Sequence, residues 1–285
     1  MAQIAAAEVK GLREKTGAGM MDCKRALVEA EGDSERALEI LRERGLVKAR
    51  KKAGRETREG RIVSAVSPDG RAGSLLELSC ETDFVAKTDD FIALAGDLAA
   101  AALDPAPGDV EALLAGPLGK GTVQDRLMEG IAILGENMRI RRVIRLEAGE
   151  KGFIGSYIHA GGKIGAIVAI EADDPSGAKA RSFAGNVCMH VTALSPVAVS
   201  RNDLPEAEVE QERSALRKQA EAEGKPPQVI EKMVEGRLRK YFSEVVLLEQ
   251  PLVMDPEQSV EKAGKAVGAR ILSFQRFQLG EELGG

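Results

Sequence analysis

Few side chains in this sequence could do chemistry, and most of them fail on spacing. Cys188 and His190 are two residues apart in a helical stretch, so they do not share a helix face. No orienting acid and no Gly-x-Ser-x-Gly completes a nucleophilic triad around them. "YIHAGGKI" (157–164) has the glycines of a phosphate-binding loop, but Tyr157 stands where the first glycine is needed and Ile164 where a serine or threonine is needed. Gly161 and Gly162 read instead as a tight hairpin turn, with Tyr157 and His159 alternating onto one face of the strand before it. Asp83, Asp89 and Asp90 cluster, yet Asp89 and Asp90 are neighbours that point apart and offer no convergent metal site. Three cysteines without C-x-x-C spacing and only two histidines argue against a disulfide framework and against zinc. The expectation is a protein without catalytic residues, metal or cofactor.

One segment keeps a question open. "CETDFVAKTDDF" (80–91) holds two of the seven phenylalanines of a chain that has no tryptophan. Thr82 or Asp83 could cap the alanine-rich helix that follows, with both phenylalanines packed beneath it. A phenylalanine beside a carboxylate could equally be a wedge aimed at another protein. Spacing alone favours the cap.

The elements around it follow from composition and period. The chain has 285 residues, 44% hydrophobic but only 3% aromatic, so its cores must be built from small aliphatic side chains packed closely. No run approaches the roughly 20 apolar residues of a membrane helix, and the charged N-terminus is unlike a signal peptide. A reduced, cytoplasmic protein is expected. Residues 1–45 predict a three-helix module: Ile4, Val9 and Leu12 form a stripe, Gly17 and Gly19 a turn, and Asp22 a cap. Ala26, Leu27 and Ala30 share the next face, Asp33 caps the third helix, Leu38 and Leu41 are core, and Gly45 is the stop. The basic run 46–61 reads as a linker. Between 45 and 61 it holds seven Lys/Arg against two Glu.

Residues 62–146 predict a hairpin around "PDG", the alanine-rich helix, two further helices and a strand from 139. Residues 147–203 with 247–285 predict a second hairpin, a covering helix and a final strand. In that last strand Ile271, Ser273 and Gln275 should face one way and Leu272, Phe274 and Arg276 the other. These would be two tandem α/β subdomains with antiparallel sheets, and an internal repeat is suspected. Residues 204–246 predict an inserted coiled-coil-like helical hairpin broken at "GKPP", with Val209, Leu216 and Ala220 on one arm and Ile230, Val234, Leu238, Tyr241 and Val245 on the other. The fold class is α+β and multidomain.

"LREKTGAGMMDCKRALVEAEGD" (12–33) and "CETDFVAKTDDF" together resemble the elongation factor Ts family, the nucleotide exchange factors of the GTPase elongation factor Tu. "GENMRIRR" (135–142), "GSYIHAGGKIG" (155–165), "GKPPQVIEKMVEGRLRKYFSEVVLLEQPLVMD" (224–255) and "FQRFQLGE" (274–281) agree in order. The resemblance implies that the first module is ubiquitin-associated-like and docks on the GTPase domain through Leu12, Arg13, Gly19, Met20, Met21 and Lys24. It implies that Thr82, Asp83, Phe84 and Val85 dislodge Mg²⁺, with Phe84 inserted between helices of the partner. Tyr157, His159 and Gly161 would lie against the partner's third domain, and the 204–246 hairpin would form a homodimer. The family commonly has a further C-terminal helical module, and this chain, ending at Gly285, is expected to lack it.

Two rival classes fit less well. A nucleic-acid-binding factor could use the basic run, but the net charge of −5 and the scarcity of aromatics speak against it. A metabolic enzyme lacks any acid, base or nucleophile arrangement. No direct nucleic-acid partner and no membrane partner is expected.

Overall fold

The computed structural model describes residues 4–16, 18–224 and 226–282. Gly17 of the first turn and Lys225 of the "GKPP" break lie outside the described residues, as do the Lys48 and Arg50 side chains of the basic run.

Three helices open the chain: α1 (Ala6–Thr16), α2 (Met20–Glu29) and α3 (Ser34–Arg50). Val9, Leu12, Cys23, Ala26, Leu27, Ala37 and Leu41 form their thin core. Asp33 caps α3 by accepting the Glu35 and Arg36 amides at 2.9 and 3.1 Å. Three local expectations need correction. Gly19 occupies the N-cap of α2, and Asp22 sits inside the first turn, paired with Arg25. Leu38 is 47% exposed, because Ala37 and Leu41, four apart, carry the buried face. Gly45 does not stop α3: a Cβ there would come within 2.9 Å of the Ala132 Cβ. The glycine lets α3 pass close to a helix of the core, where Ala49 is buried and Arg42 pairs with Glu129 at 3.3 Å. The segment read as a linker is therefore helix to Arg50, then turns, then strand from Glu59.

The first α/β unit runs β1 (Glu59–Val66), β2 (Ala72–Cys80), α4 (Asp83–Ala86), α5 (Asp89–Ala101), α6 (Val110–Ala115), the ribbon β3 (Pro117–Leu118) and β4 (Gly121–Thr122), α7 (Val123–Leu134) and β5 (Met138–Glu147). The second runs β6 (Gly152–His159), β7 (Ile164–Ala172), α8 (Ala178–Leu194), then α9 (Glu206–Ala222) and α10 (Pro227–Val245) as a hairpin. The ribbon β8 (Pro251–Leu252) and β9 (Asp255–Ser259), α11 (Val260–Ala266) and β10 (Ala269–Gln278) complete it. Among the described residues the main sheets have the orders β1-β2-β5 and β10-β7-β6, all antiparallel. Each unit is thus a hairpin, helices, and a third strand added to the hairpin's second strand. This shared topology is the form the suspected repeat takes.

The two sheets pack face to face through Ile62, Leu75, Ile154, Ile167, Ala169 and Phe277. Their outer faces are covered by α5 and α7 around Phe91, Leu94 and Leu98, and by α8 and α11 around Phe183, Val187 and Val191. Central strand β2 is consequently buried along its whole length. Glu77 lies in it, fully buried, between Arg141 and Arg142 at 3.1 and 2.7 Å. A bulge in the β2–β5 ladder beside Glu77 brings two consecutive arginines onto one carboxylate, which regular alternation would forbid. A second bulge, between Ile271 and Ser273 of β10, corrects the predicted alternation there. Ile271 and Phe274 share the outer face, and Leu272 and Phe277 the inner one.

The α9–α10 hairpin closes on Leu216, Ala220, Ile230, Val234, Leu238 and Phe242, and its base packs on Ala198, Leu204 and Val246. Phe242, absent from the predicted seam, is buried in place of its half-buried neighbour Tyr241. Arg217–Glu231 (2.9 Å) and Arg237–Glu223 (2.6 Å) link the arms at the surface.

Candidate functional site

In the Thr82–Phe91 segment two helices start from separate caps, and the two phenylalanines part between surface and core. Thr82 does cap a helix, accepting the Val85 amide at 3.4 Å, but that helix is the single turn α4. The alanine-rich α5 has its own cap, Thr88, which accepts the Phe91 amide at 3.3 Å. The expectation that Thr82 or Asp83 caps α5 over both phenylalanines is corrected accordingly. Phe91 is fully buried in the first core, whereas Phe84 is 80% exposed. The turn is held from below by buried Ala86 and from behind by the Thr88 hydroxyl, which donates to the Val85 carbonyl at 2.8 Å. Asp83 accepts from Lys87 at 2.6 Å. That bond chiefly, with Lys163 a lesser influence, lowers its pKa and keeps it charged.

The Tyr157–His159 hairpin reaches the same region. Its turn runs Ala160, Gly161 and Gly162, all at positive φ, and a Cβ on Gly162 would meet Arg61 Nε at 2.7 Å. That close approach lets the Gly162 carbonyl accept the Ile62 amide at 2.7 Å, while Lys163 pairs with Glu59 at 2.6 Å. Arg61 in turn donates to the Ala86 carbonyl at 3.5 Å. The turn carrying Phe84 and the turn after His159 are thereby fixed to one strand, β1. Tyr157 Oη lies 2.8 Å from His159 Nδ1, and the imidazole is exposed.

On the N-terminal module, Arg13, Gly19, Met20, Met21 and Lys24 are exposed. Met20 and Met21 form an apolar edge at the start of α2. Leu12 is 4% exposed and belongs to the module's core. There it holds α1 against α2 and α3. A groove of about 850 Å³ lies between this module and α7, lined by Leu38, Val47, Ala132 and Ile133, and Thr82–Val85 do not line it.

Cys188 and His190 are both buried. His190 is buried, its Nε2 2.8 Å from Gln250 Oε1, and its Nδ1 accepts the Val253 amide at 3.2 Å. Burial lowers its pKa and keeps it neutral, against the opposing influence of Gln250. Burial pushes the Cys188 thiol up to about 12, so it stays protonated. Among the described residues no three His, Cys, Asp or Glu side chains converge to hold a metal ion. No described helix is long and apolar enough to cross a membrane. Within the basic run, Lys52 donates to the Gly135 carbonyl at 2.6 Å, and Arg55 and Arg58 pair with Glu81 and Glu56 at 3.4 and 2.7 Å.

Glu136, Arg61 and Lys163 were missed by sequence reasoning. Glu136 stands 54 residues from the Thr82 it touches, and no local pattern signals such a pairing.

A family model described as Elongation factor TS matches residues 81–281. Elongation factor Ts of Hydrogenovibrio crunogenus is 46% identical over 279 residues, covering 98% of this chain and 92% of that protein. Those of Nautilia profundicola (43% over 291 residues, 99% and 95%) and Clostridium botulinum (44% over 285 residues, 98% and 93%) are similar throughout. The separated motifs, the paired α/β units and these matches have one common explanation: the chain belongs to the elongation factor Ts family.

Proposed function

We propose that this chain performs the nucleotide exchange its family implies, release of GDP from elongation factor Tu during translation elongation, with Phe84 as a wedge and Asp83 beside it. The observation that carries the reading is the exposure of Phe84 on a turn capped at Thr82 and buried at Ala86. In a chain so poor in aromatics, an 80% exposed phenylalanine on a fixed turn is a surface prepared for a partner.

The logic needs no catalytic group. GDP in a phosphate loop depends on backbone amides and Mg²⁺ to balance its charge. A wedge that shifts one element of that loop weakens both. Exchange is then a coupling free energy: the factor prefers the nucleotide-poor state, and nucleotide reciprocally expels the factor. Weakening nucleotide a thousandfold requires about 4 kcal/mol, whereas burying one phenylalanine supplies roughly 1.5–3 kcal/mol. Phe84 needs help. Arg13, Gly19, Met20, Met21 and Lys24 on the GTPase domain, and Tyr157, His159 and Gly161 on the partner's third domain, supply the remainder in this reading.

Fluorescent GDP should leave the cognate elongation factor Tu far faster when this protein is added. A release rate unchanged by saturating protein would contradict the reading. The outer faces of α9 and α10 are proposed to pair two copies of the chain. Deleting 206–240 should then turn a dimer into a monomer on sizing chromatography, and an unchanged elution state would assign the hairpin another role.

A further inference from the structure

The turn that carries Phe84 is four residues long. A single turn meets the cost of helix nucleation without the gain of propagation, so its orientation must be imposed from outside. Its N-cap bond, Thr82 Oγ1 to the Val85 amide, is long at 3.4 Å and does not suffice. Ala86, Thr88 and Arg61 hold its C-terminal end, and the restraint at its N-terminal end comes from Glu136. Its Oε2 accepts the Glu81 and Thr82 amides at 3.1 and 2.9 Å, and its Oε1 accepts the Thr82 hydroxyl at 2.6 Å.

The position of these bonds explains their strength. Cys80–Met138 is the last pair of the β2–β5 ladder, and beyond it the strands part. Two glutamates then replace the ladder reciprocally. Glu136 takes the amides of 81 and 82, and Glu81 takes the Asn137 amide at 2.6 Å. Asn137, itself buried, donates from its side chain to the Arg55 carbonyl at 2.6 Å, which ties the brace to the segment before β1. A carboxylate accepting three bonds from two successive residues fixes both the Thr82 rotamer and the direction in which the chain leaves β2.

We infer that Glu136 is the positioning residue of the Phe84 wedge. It touches neither nucleotide nor partner in this role. It sets the angle at which α4 presents Phe84, and so acts on exchange rather than on affinity. The inference rests on the wedge reading proposed above.

The test uses the full-length chain and release of fluorescent GDP from the cognate elongation factor Tu, recording the maximal rate and the half-saturating factor concentration separately. Glu136→Ala should lower the maximal rate about tenfold and move half-saturation by less than about twofold. Glu136→Gln, which keeps an acceptor for the amides and a donor for Thr82 Oγ1, should recover most of the rate. On a Phe84→Ala background, Glu136→Ala should cost no more than about a further twofold, since it acts through Phe84. A maximal rate at the wild-type level in Glu136→Ala would overturn the inference. So would a full loss that persists without Phe84, or a loss confined to half-saturation. If Glu136→Ala shows no cooperative thermal unfolding, Thr82→Val tests the same contact, and a wild-type maximal rate there overturns the inference too. Should Phe84→Ala itself exchange normally, the wedge reading fails and this inference with it. A slow Phe84→Ala beside a normal Glu136→Ala removes the positioning role alone.

Discussion

Replacing Phe84 with alanine is expected to slow maximal GDP release from elongation factor Tu by roughly ten- to hundredfold, and to weaken the complex by much less. The range follows from the 1.5–3 kcal/mol of a buried phenyl ring, at about 1.4 kcal/mol per factor of ten. The split follows from where that energy is used. If the ring enters the partner only as the phosphate site opens, its loss raises the barrier without a matching loss of ground-state affinity. The fold should not notice, because the side chain is 80% exposed and belongs to none of the hydrophobic clusters. Stopped-flow release, complex affinity and a melting curve together check this. Unchanged exchange with an intact complex would remove the wedge.

The largest effect on stability is expected at Glu77. Glu77→Ala should cost about 3–5 kcal/mol, the usual result of stripping one partner from a buried ion pair. It would lower the melting midpoint by on the order of 10 °C. Arg141 and Arg142 would be left largely buried without their shared acceptor, and the Gly280 amide would lose its 3.1 Å bond to the same carboxylate. Arg142 also donates to the Gln278 carbonyl at 2.9 Å and lies 3.9 Å from the centre of the Phe277 ring. The loss should therefore loosen the end of β10 from the first sheet. Differential scanning calorimetry, with limited proteolysis of the C-terminal residues, measures both effects. A midpoint within a degree of the wild type would show that the arginines find other partners.

Much of the architecture was legible because it is local. Hairpin turns at Pro68–Gly70 and Gly161–Gly162, the Asp33 cap and the long apolar periods of α8 and α10 are set by residues near in sequence. The errors arise where a distant element decides. Gly45 carries the local signature of a helix stop, yet its role is contact with Ala132. Leu272 is displaced by a bulge that no period of two can foresee. The burial of Glu77 likewise depends on β5 and the second sheet, neither of which is near it in sequence.

The site divides in the same way. The cap at Thr82 is written in the sequence, one turn earlier than the alanine-rich helix it seemed to serve. Thr88 breaks the segment in two, and that break puts Phe84 outside and Phe91 inside. The proposal that Phe84 faces a partner rests on the resemblance, since spacing alone favours packing. The groups that hold it, Glu136 in the loop before β5 and Arg61 on β1, are distant in sequence and leave no mark beside it.

The most direct test is the ratio of maximal GDP-release rates for wild type and Phe84→Ala, measured once with Mg²⁺ and once with the ion chelated. If the wedge acts by dislodging the ion and its phosphate contacts, the ratio should be roughly ten or more with Mg²⁺ and fall towards one without it. A ratio near one in the presence of Mg²⁺, or one that chelation leaves unchanged, would contradict the account.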